Sequence, residues 1–139
     1  MGSVWASESQ LQRFRDRVEM PGKITMLNLL RFREIANYTA ADEAAPCSGI
    51  TAYERYAALV FPLIKKLGGR IIVSGAALGT VVGPQDEEWD RMIIVEYPSI
   101  RVMLGMMSSQ EYLSIAHHRT AALADSRLIP VTANERAKN

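Results

Sequence analysis

We expect this chain to fold as a single α+β domain without disulfides, and three features of its sequence lead to that expectation. Apolar runs typical of strands alternate with stretches of helical spacing, in the order helix, then β-α-β-β-α-β. The 139 residues are 48% hydrophobic and 22% charged, which is typical of one globular domain, so residues 1–139 are assigned to a single domain. Cys47 is the only cysteine, which excludes a disulfide framework within the chain.

The N-terminal third is predicted to hold an extra helix and the first strand. Ser7 and Gln10 fit a capping box, which indicates a helix over residues 7–18. Residues 24–32 are apolar on both faces, a pattern typical of a strand that is covered on both sides. Residues 33–50 are polar and Ala-rich, and we expect a loop there.

The later elements follow from the same two periodicities. Thr51 and Glu54 fit a second capping box, and Gly68 begins a Gly-Gly pair that ends a helix. Pro130 indicates that the last strand lies at a sheet edge, because proline cannot donate to a ladder. The predicted elements are a helix over 51–67, strands over 70–82 and 89–97, helices reaching about Asp125, and a strand over 127–132.

The order β-α-β-β-α-β predicts the ferredoxin-like fold, a four-stranded antiparallel sheet with both helices on one face. The predicted strands are apolar on both faces, so the face without helices needs a cover. We expect that cover to be a second copy of the chain, since two-fold pairs dominate soluble homo-oligomers. The core is expected over residues 24–132, followed by a flexible tail over residues 133–139.

Charge and missing motifs exclude several function classes. The net charge of +1 and the scattered basic residues give no reason to expect a nucleic-acid partner. No apolar run approaches the ~18 residues of a membrane span, and the N-terminal segment does not have the pattern of a signal peptide, so we expect a cytoplasmic protein with no membrane partner. GxGxxG, Walker, HExxH and GxSxG motifs are absent, and we expect no cofactor. His117 and His118 are the only histidines and should lie about 100° apart on a helix, so we expect no metal site.

Several segments resemble one family, in order along the chain. They are MLNLLRFRE in the first strand, Tyr53 and Tyr56, LGGR at 67–70, EWDRMIIVEYPS at 88–99 and QEYLSIAHHRTAALADSRLI at 110–129. The family is domain of unknown function 1330, in the dimeric α+β barrel superfamily, and the resemblance covers about residues 24–129. It implies a ferredoxin-like subunit that pairs face to face as a dimeric α+β barrel. The superfamily includes cofactor-free monooxygenases, lactone isomerases, haem enzymes and ligand-sensing domains, so the fold alone does not choose a function.

Two polar residues on apolar faces are the first candidates for a binding site. Asn28 lies in the middle of the first strand, where its amide either donates to a ligand carbonyl or developing oxyanion, or bonds the backbone. Arg119 lies on the apolar stripe of the last helix. Its guanidinium either anchors an acidic substrate or forms a buried pair with Asp90 or Glu96.

Further candidates are other arginines and aromatic residues. Arg31 and Arg70 have the same two alternatives as Arg119, a substrate contact or a structural ion pair. Tyr53 and Tyr56 lie on the inward side of their helix, where each brings an apolar ring and one hydroxyl to a pocket or to the core. Trp89 opens the third predicted strand and is a further candidate for substrate contact.

Two residues are candidates for moving a proton. His118 flanks the core face of the last helix and titrates near neutrality, although a histidine on the helix surface is the alternative. Asp90 is a candidate general base, and the alternative is a pair with an arginine.

Three functional hypotheses follow. In the first, each subunit of the dimer is a cofactor-independent enzyme for proton transfer or oxygenation on a small carbonyl or aromatic compound. Asn28 and Arg119 would orient the substrate, and His118 or Asp90 would move the proton. In the second, the same pocket binds a metabolite without turnover. In the third, the chain is a structural dimer without a pocket.

Overall fold

The computed structural model describes residues 2–132. The predicted flexible tail, residues 133–139, lies outside them. The elements in chain order are α1 (Glu8–Arg15), β1 (Ile24–Phe32), a 3-10 turn (Ala40–Asp42), α2 (Gly49–Lys66), β2 (Arg70–Ala76), β3 (Arg91–Tyr97), α3 (Ile100–Met107), α4 (Gln110–Leu113), α5 (Ala116–Ala122) and β4 (Leu123–Val131).

The four strands form one antiparallel sheet in the order β2-β3-β1-β4. This is the ferredoxin-like arrangement, and it confirms the predicted fold class. β1 occupies a central position, as its run of apolar residues on both faces predicts. β4 lies at an edge, where the missing N–H of Pro130 leaves no gap inside the sheet.

One face of the sheet carries the core. Side chains at alternate positions of β1 and β3 point to this face, and a stripe of α2 packs on them. Leu30, Ile93 and Val60 are among the largest fully buried side chains. The N-terminal helix contributes Phe14, which is partly buried against the same cluster.

The other face of the sheet has no helix packed on it within residues 2–132. We call this surface the open face, and its apolar side chains are Leu27, Leu29, Val73, Met92, Ile94, Ile129 and Val131. None of them belongs to the buried core cluster, and Val73, Ile129 and Val131 are 42%, 45% and 42% exposed.

The predicted strand over 70–82 was wrong beyond Ala76. The pairing of β2 with β3 ends at Ala76 and Arg91, and Gly79 at φ 116° turns the chain away. The next residues have no strand to pair with, and Val81 is 98% exposed. A β-favouring sequence does not form a strand without a ladder partner. For the same reason β3 begins at Arg91, the last residue that pairs with β2, rather than at residue 89.

The helix boundaries differ from the prediction in α1, α2 and α5. α1 ends at Arg15 rather than at residue 18. Ser48, rather than Thr51, caps α2, because its side chain accepts a hydrogen bond from the Thr51 N–H. The last helix ends at Ala122 rather than Asp125, since β4 begins at Leu123. Residues 123–126 pair with the end of β1, and this tertiary ladder overrides their helical periodicity.

Candidate functional site: a polar cavity between sheet and helices

A cavity of about 70 Å³ lies between the core face of the sheet and the helices. Its walls are mainly apolar, and six polar side chains reach it from five different elements. They are Asn28 from β1, Tyr53 and Tyr56 from α2, Tyr97 from β3, Tyr112 from α4 and Arg119 from α5. An apolar space with a few convergent polar groups is the usual form of a ligand site.

The amide of Asn28 is held by the backbone of the sheet. Its Nδ2 donates to the carbonyl oxygen of Ile93, at 3.2 Å, and to that of Met26, at 3.4 Å. Both partners are acceptors, so the nitrogen must be the amide atom that faces them. What Asn28 offers the cavity is therefore the acceptor Oδ1, whereas its predicted donor role is already taken up by the backbone.

The tyrosine hydroxyls of the cavity fall into two groups. The hydroxyls of Tyr56 and Tyr112 are hydrogen-bonded to each other at 2.9 Å. Those of Tyr53 and Tyr97 have no hydrogen-bond partner within residues 2–132, although both residues are more than 90% buried. Every fully buried polar side-chain atom in this part of the chain has a partner, so these two hydroxyls keep some accessible surface, and both tyrosines line the cavity.

The hydroxyls of Tyr53, Tyr56 and Tyr97 are neutral donors at physiological pH. Burial raises the pKa of Tyr53 to about 12, and it raises the pKa values of Tyr56 and Tyr97 as well. The positive charge of Arg119 opposes the rise in all three cases, which reflects its closeness to the three rings.

Arg119 supplies the charge of the cavity. The expected structural alternative, a pair with Asp90 or Glu96, does not occur. The Asp90 carboxylate accepts the Phe32 N–H at 2.8 Å, and Glu96 pairs with Arg70. Within residues 2–132 the Arg119 guanidinium has no salt bridge, and its one hydrogen bond runs from Nη1 to the Val4 carbonyl at 3.4 Å.

Asp90 lies in a separate, open cleft of about 740 Å³. The cleft runs between α2 and the β2–β3 side of the sheet, and Glu54 and Arg91 also line it. The Arg91 guanidinium pairs with Glu54 at 3.0 Å and lies over the ring of Phe32, 5.1 Å from its centroid. The carboxylate of Asp90 is thus outside the lining of the cavity that holds Arg119.

His118 also lies outside that cavity, beneath the loop that precedes α2. Its Nδ1 is 2.6 Å from the Tyr38 hydroxyl, which Arg55 contacts from the other side at 3.4 Å. Arg55 can only donate, so the Tyr38 hydroxyl accepts from it, and the direction of the bond to His118 follows the tautomer of the imidazole. Burial lowers the pKa of His118, and the charges of His117 and Arg55 lower it further, which favours the neutral ring.

The expectation that the two histidines diverge was wrong. The imidazoles of His117 and His118 lie against each other at a tilt of 37°, with ring centroids 4.0 Å apart, and both face the ring of Tyr38 from the first turn of α5. Across residues 2–132, no three His, Cys, Asp or Glu side chains are grouped as metal ligands would be. None of the helices in the same range is long and apolar enough to cross a membrane.

The three remaining candidates lie away from the cavity. Arg31 and Arg70 are exposed, and Arg70 binds Glu96 at 3.0 Å on the open face. Trp89 precedes β3, where the guanidinium of Arg127 lies 4.9 Å from its ring centroid. For Arg70, the structure matches the ion-pair alternative.

The structure therefore brings together Asn28, Tyr53, Tyr56 and Arg119, and it places the other candidates elsewhere. Sequence reasoning did not identify Tyr97 as a site residue. Its burial could have been predicted, because Tyr97 lies on the same face of β3 as the buried Ile93 and Val95. The pairing of Tyr38 with His118 spans 80 residues and had no local signal.

Comparison with known proteins assigns the family. The model described as Domain of unknown function (DUF1330) matches residues 32–133. This chain belongs to that family. The resemblance noted from the sequence is confirmed, and a comparison with curated proteins finds no match.

Solved structures extend the comparison. A protein of unknown function from Rhodopseudomonas palustris is 34% identical, with 96% of this chain and 98% of that chain covered and a TM-score of 0.87. A dimeric protein of unknown function with a ferredoxin-like fold from Bacteroides fragilis is 10% identical, covering 80% and 96% of the two chains at a TM-score of 0.50. Hydroxynitrile lyase from Passiflora edulis is 14% identical, covering 83% and 96% at 0.55. The last two likenesses concern the fold alone.

Proposed function

We propose that this family member is a homodimer in which each subunit binds a small molecule in the cavity between its sheet and its helices. The chain acts as one domain with its core over residues 24–132. The observation that carries the proposal is a space between sheet and helices that is lined by two tyrosines whose hydroxyls have no partner among the described residues, Tyr53 and Tyr97, and by Arg119, whose guanidinium has no counter-ion among them. Polar groups left without partners in an apolar surrounding destabilise a fold, and a ligand would satisfy them.

The cavity favours binding over proton transfer. Its described lining contains no carboxylate, imidazole or thiol. Its hydroxyls are those of tyrosines such as Tyr53, whose pKa is raised to about 12. A general base that works near neutral pH needs a pKa close to that pH, which these groups do not provide. His118 and Asp90, the candidates for proton transfer, lie elsewhere.

The open cleft supports a second candidate, a cofactor-independent enzyme acting on a small carbonyl or aromatic compound. Asp90 is exposed there, next to the ion pair of Arg91 and Glu54. A carboxylate near fixed positive charge could accept a proton from a substrate that the arginine orients. Asp90→Asn keeps an acceptor for the Phe32 N–H, so loss of turnover in a folded variant would favour this candidate, whereas unchanged turnover would exclude Asp90 as the base.

The dimer is supported by the open face. Four strands spaced about 4.8 Å apart, each with about eight residues at ~3.3 Å, make a surface of roughly 19 by 26 Å, so that two such faces bury on the order of 1,000 Å². That area is about what a stable interface needs. The Bacteroides fragilis protein with this fold is described as dimeric.

A charge in the middle of the open face tests the dimer. Ile94 pairs with Leu27 on one side and with Val73 on the other, so Ile94→Asp places a carboxylate at the centre of the interface. Native mass spectrometry should give a dimer for the wild type and a monomer for Ile94→Asp. Leu59→Asp, at a 48% exposed position of α2, is the matched control and should stay dimeric. A wild-type monomer would contradict the proposal.

The same spectra test the pocket. A small molecule that is bound under native conditions and released on denaturation would support binding, and its mass would identify it. If none is carried through purification, a panel of small metabolites is screened by ligand-observed NMR. Complete absence of binding across acids, amides and amines of cavity size would overturn the binding proposal.

A further inference from the structure

The cavity contains a positive charge that the described part of the chain does not neutralise. Arg119 is the only charged residue of the lining, and no acidic side chain reaches the space within residues 2–132. A guanidinium cannot lose its proton at physiological pH, so this charge persists in the folded protein. Arg119 is partly buried, and a partly buried cation without a counter-ion favours the binding of an anion.

Two of the neighbouring groups suit an anion as well. The hydroxyls of Tyr53 and Tyr97 are protonated and have no partner among the described residues, so they are free to donate. A guanidinium and two hydroxyl donors match the oxygens of a carboxylate, which accepts hydrogen bonds from all of them. A cationic ligand would meet Arg119 without any compensating carboxylate.

The rest of the lining limits the size and charge of the ligand. The volume of about 70 Å³ corresponds to roughly two water molecules at ~30 Å³ each. Met26, Met103 and Met106 form apolar walls. Methionine side chains adapt their shape, so the walls can adjust around a short apolar chain. They would not solvate a second charge.

We propose that the ligand of this cavity is a small monocarboxylate of roughly two carbons, or slightly longer where the methionines adjust, whose carboxylate binds Arg119 and the free tyrosine hydroxyls while its carbon chain lies against the methionines. This identity holds only if the cavity is a ligand site, as proposed above. A phosphate or a dicarboxylate brings a second negative charge that the single guanidinium would leave unpaired.

The test compares isosteric probes that differ in charge. Acetate, propionate and butyrate are titrated against acetamide, propionamide and butyramide, with propylamine as the cationic probe, in a carboxylate-free buffer by ligand-observed NMR. The carboxylates should bind about tenfold or more tightly than the matched amides, because a charge-assisted pair is lost in the amide. Propylamine should not bind.

Variants assign the charge to Arg119. Arg119→Met should abolish carboxylate selectivity, and Arg119→Lys should weaken it by about tenfold, because lysine keeps the charge but loses the bidentate fork. Arg13→Met, at an exposed position of α1, is the control and should bind as the wild type does. If Arg119→Met does not fold, the carboxylate preference is measured in Arg119→Lys and in Tyr53→Phe instead. Tyr53→Phe should also weaken carboxylate binding.

The possible results separate the two proposals. The monocarboxylate assignment would be overturned if carboxylates and amides bound equally well. It would also be overturned if the preference for carboxylates survived in Arg119→Lys and in Tyr53→Phe. In both cases the proposal of small-molecule binding would stand. Failure of every probe of all three classes, combined with no released molecule in native spectra, would overturn both.

Discussion

The hydrogen bond between the hydroxyls of Tyr56 and Tyr112 joins α2 to α4 across the cavity, and removing it has a calculable cost. The two oxygens are 2.9 Å apart, and the rings meet edge to face with centroids 6.2 Å apart. Phenylalanine keeps the ring contact, so Tyr→Phe substitutions remove only the hydroxyls. Tyr56→Phe leaves the Tyr112 hydroxyl, which is partly exposed and can reach water, and should cost about 0.5–1.5 kcal/mol.

The reverse substitution should cost more. Tyr112→Phe leaves the Tyr56 hydroxyl without its hydrogen-bond partner, and Tyr56 is only 7% exposed. An unsatisfied buried polar group costs about 1–3 kcal/mol. The double variant removes both partners and leaves no orphan. Its destabilisation should therefore fall short of the sum of the single costs by about 1 kcal/mol or more.

The assay is urea unfolding of the four proteins followed by circular dichroism. All are measured at one protein concentration, because the stability of an oligomer depends on it. Equal m-values are required for the comparison. Costs that add to within ~0.5 kcal/mol would show that the hydroxyls are not coupled, and would refute the placement of α4 against α2.

Three further predictions concern the core, the loop before α2 and a crowded glycine. Leu30→Ala, at a position with 0% exposure, should lower the free energy of unfolding by about 2–5 kcal/mol in the same urea assay, and a loss below ~1 kcal/mol would contradict its burial. The pKa of His118 is lowered in the folded state, so its contribution to stability is complete above the unfolded value of ~6.5 and is lost as the pH falls through the lower folded pKa. His118→Asn should therefore reduce the decline in the free energy of unfolding between pH 7.5 and pH 5, and an equal decline in the wild type and in this variant would contradict the account. Tyr38→Phe removes the hydrogen bond to His118 and should cost about 1 kcal/mol of unfolding free energy at pH 7.5. Gly49→Ala would place its Cβ 2.1 Å from the Arg33 carbonyl oxygen, so it should prevent folding or lower the free energy of unfolding by several kcal/mol. Gly105→Ala, with open space around its Cβ, is the control and should stabilise α3 by about 0.5–1 kcal/mol. A Gly49→Ala variant that folds with the stability of the wild type would contradict the observed crowding.

Much of the fold could be read from short-range patterns. The order of strands and helices, the apolar central strand β1 and the edge position of Pro130 each depend on residues close together in sequence. The ends of the strands and helices were harder to predict, because they depend on which strands pair. The residues after Ala76 favour strand but lack a partner, and residues 123–126 read as helix but pair with β1.

The candidate site was predictable only in part. Asn28 and Arg119 stood out because each is a polar residue at an apolar position, and both line the cavity. Which hydrogen-bonding atom each has left for a ligand was not predictable. The Asn28 amide nitrogen is taken by two carbonyls, and the expected carboxylate partners of Arg119 bind other groups.

The sequence by itself determined the periodicity of each element, the order of the elements and the polar residues that lie on buried faces. These properties follow from local side-chain spacing, which is fixed by the repeat of the helix or the strand. Only the tertiary structure decided that Tyr53, Tyr97 and Arg119 meet in one cavity, and that Asp90 and His118 face other surroundings. Such meetings depend on the packing of α2 and α5 against the sheet, where a side chain's neighbours come from distant parts of the chain and are chosen by shape, burial and hydrogen bonding rather than by spacing in the sequence.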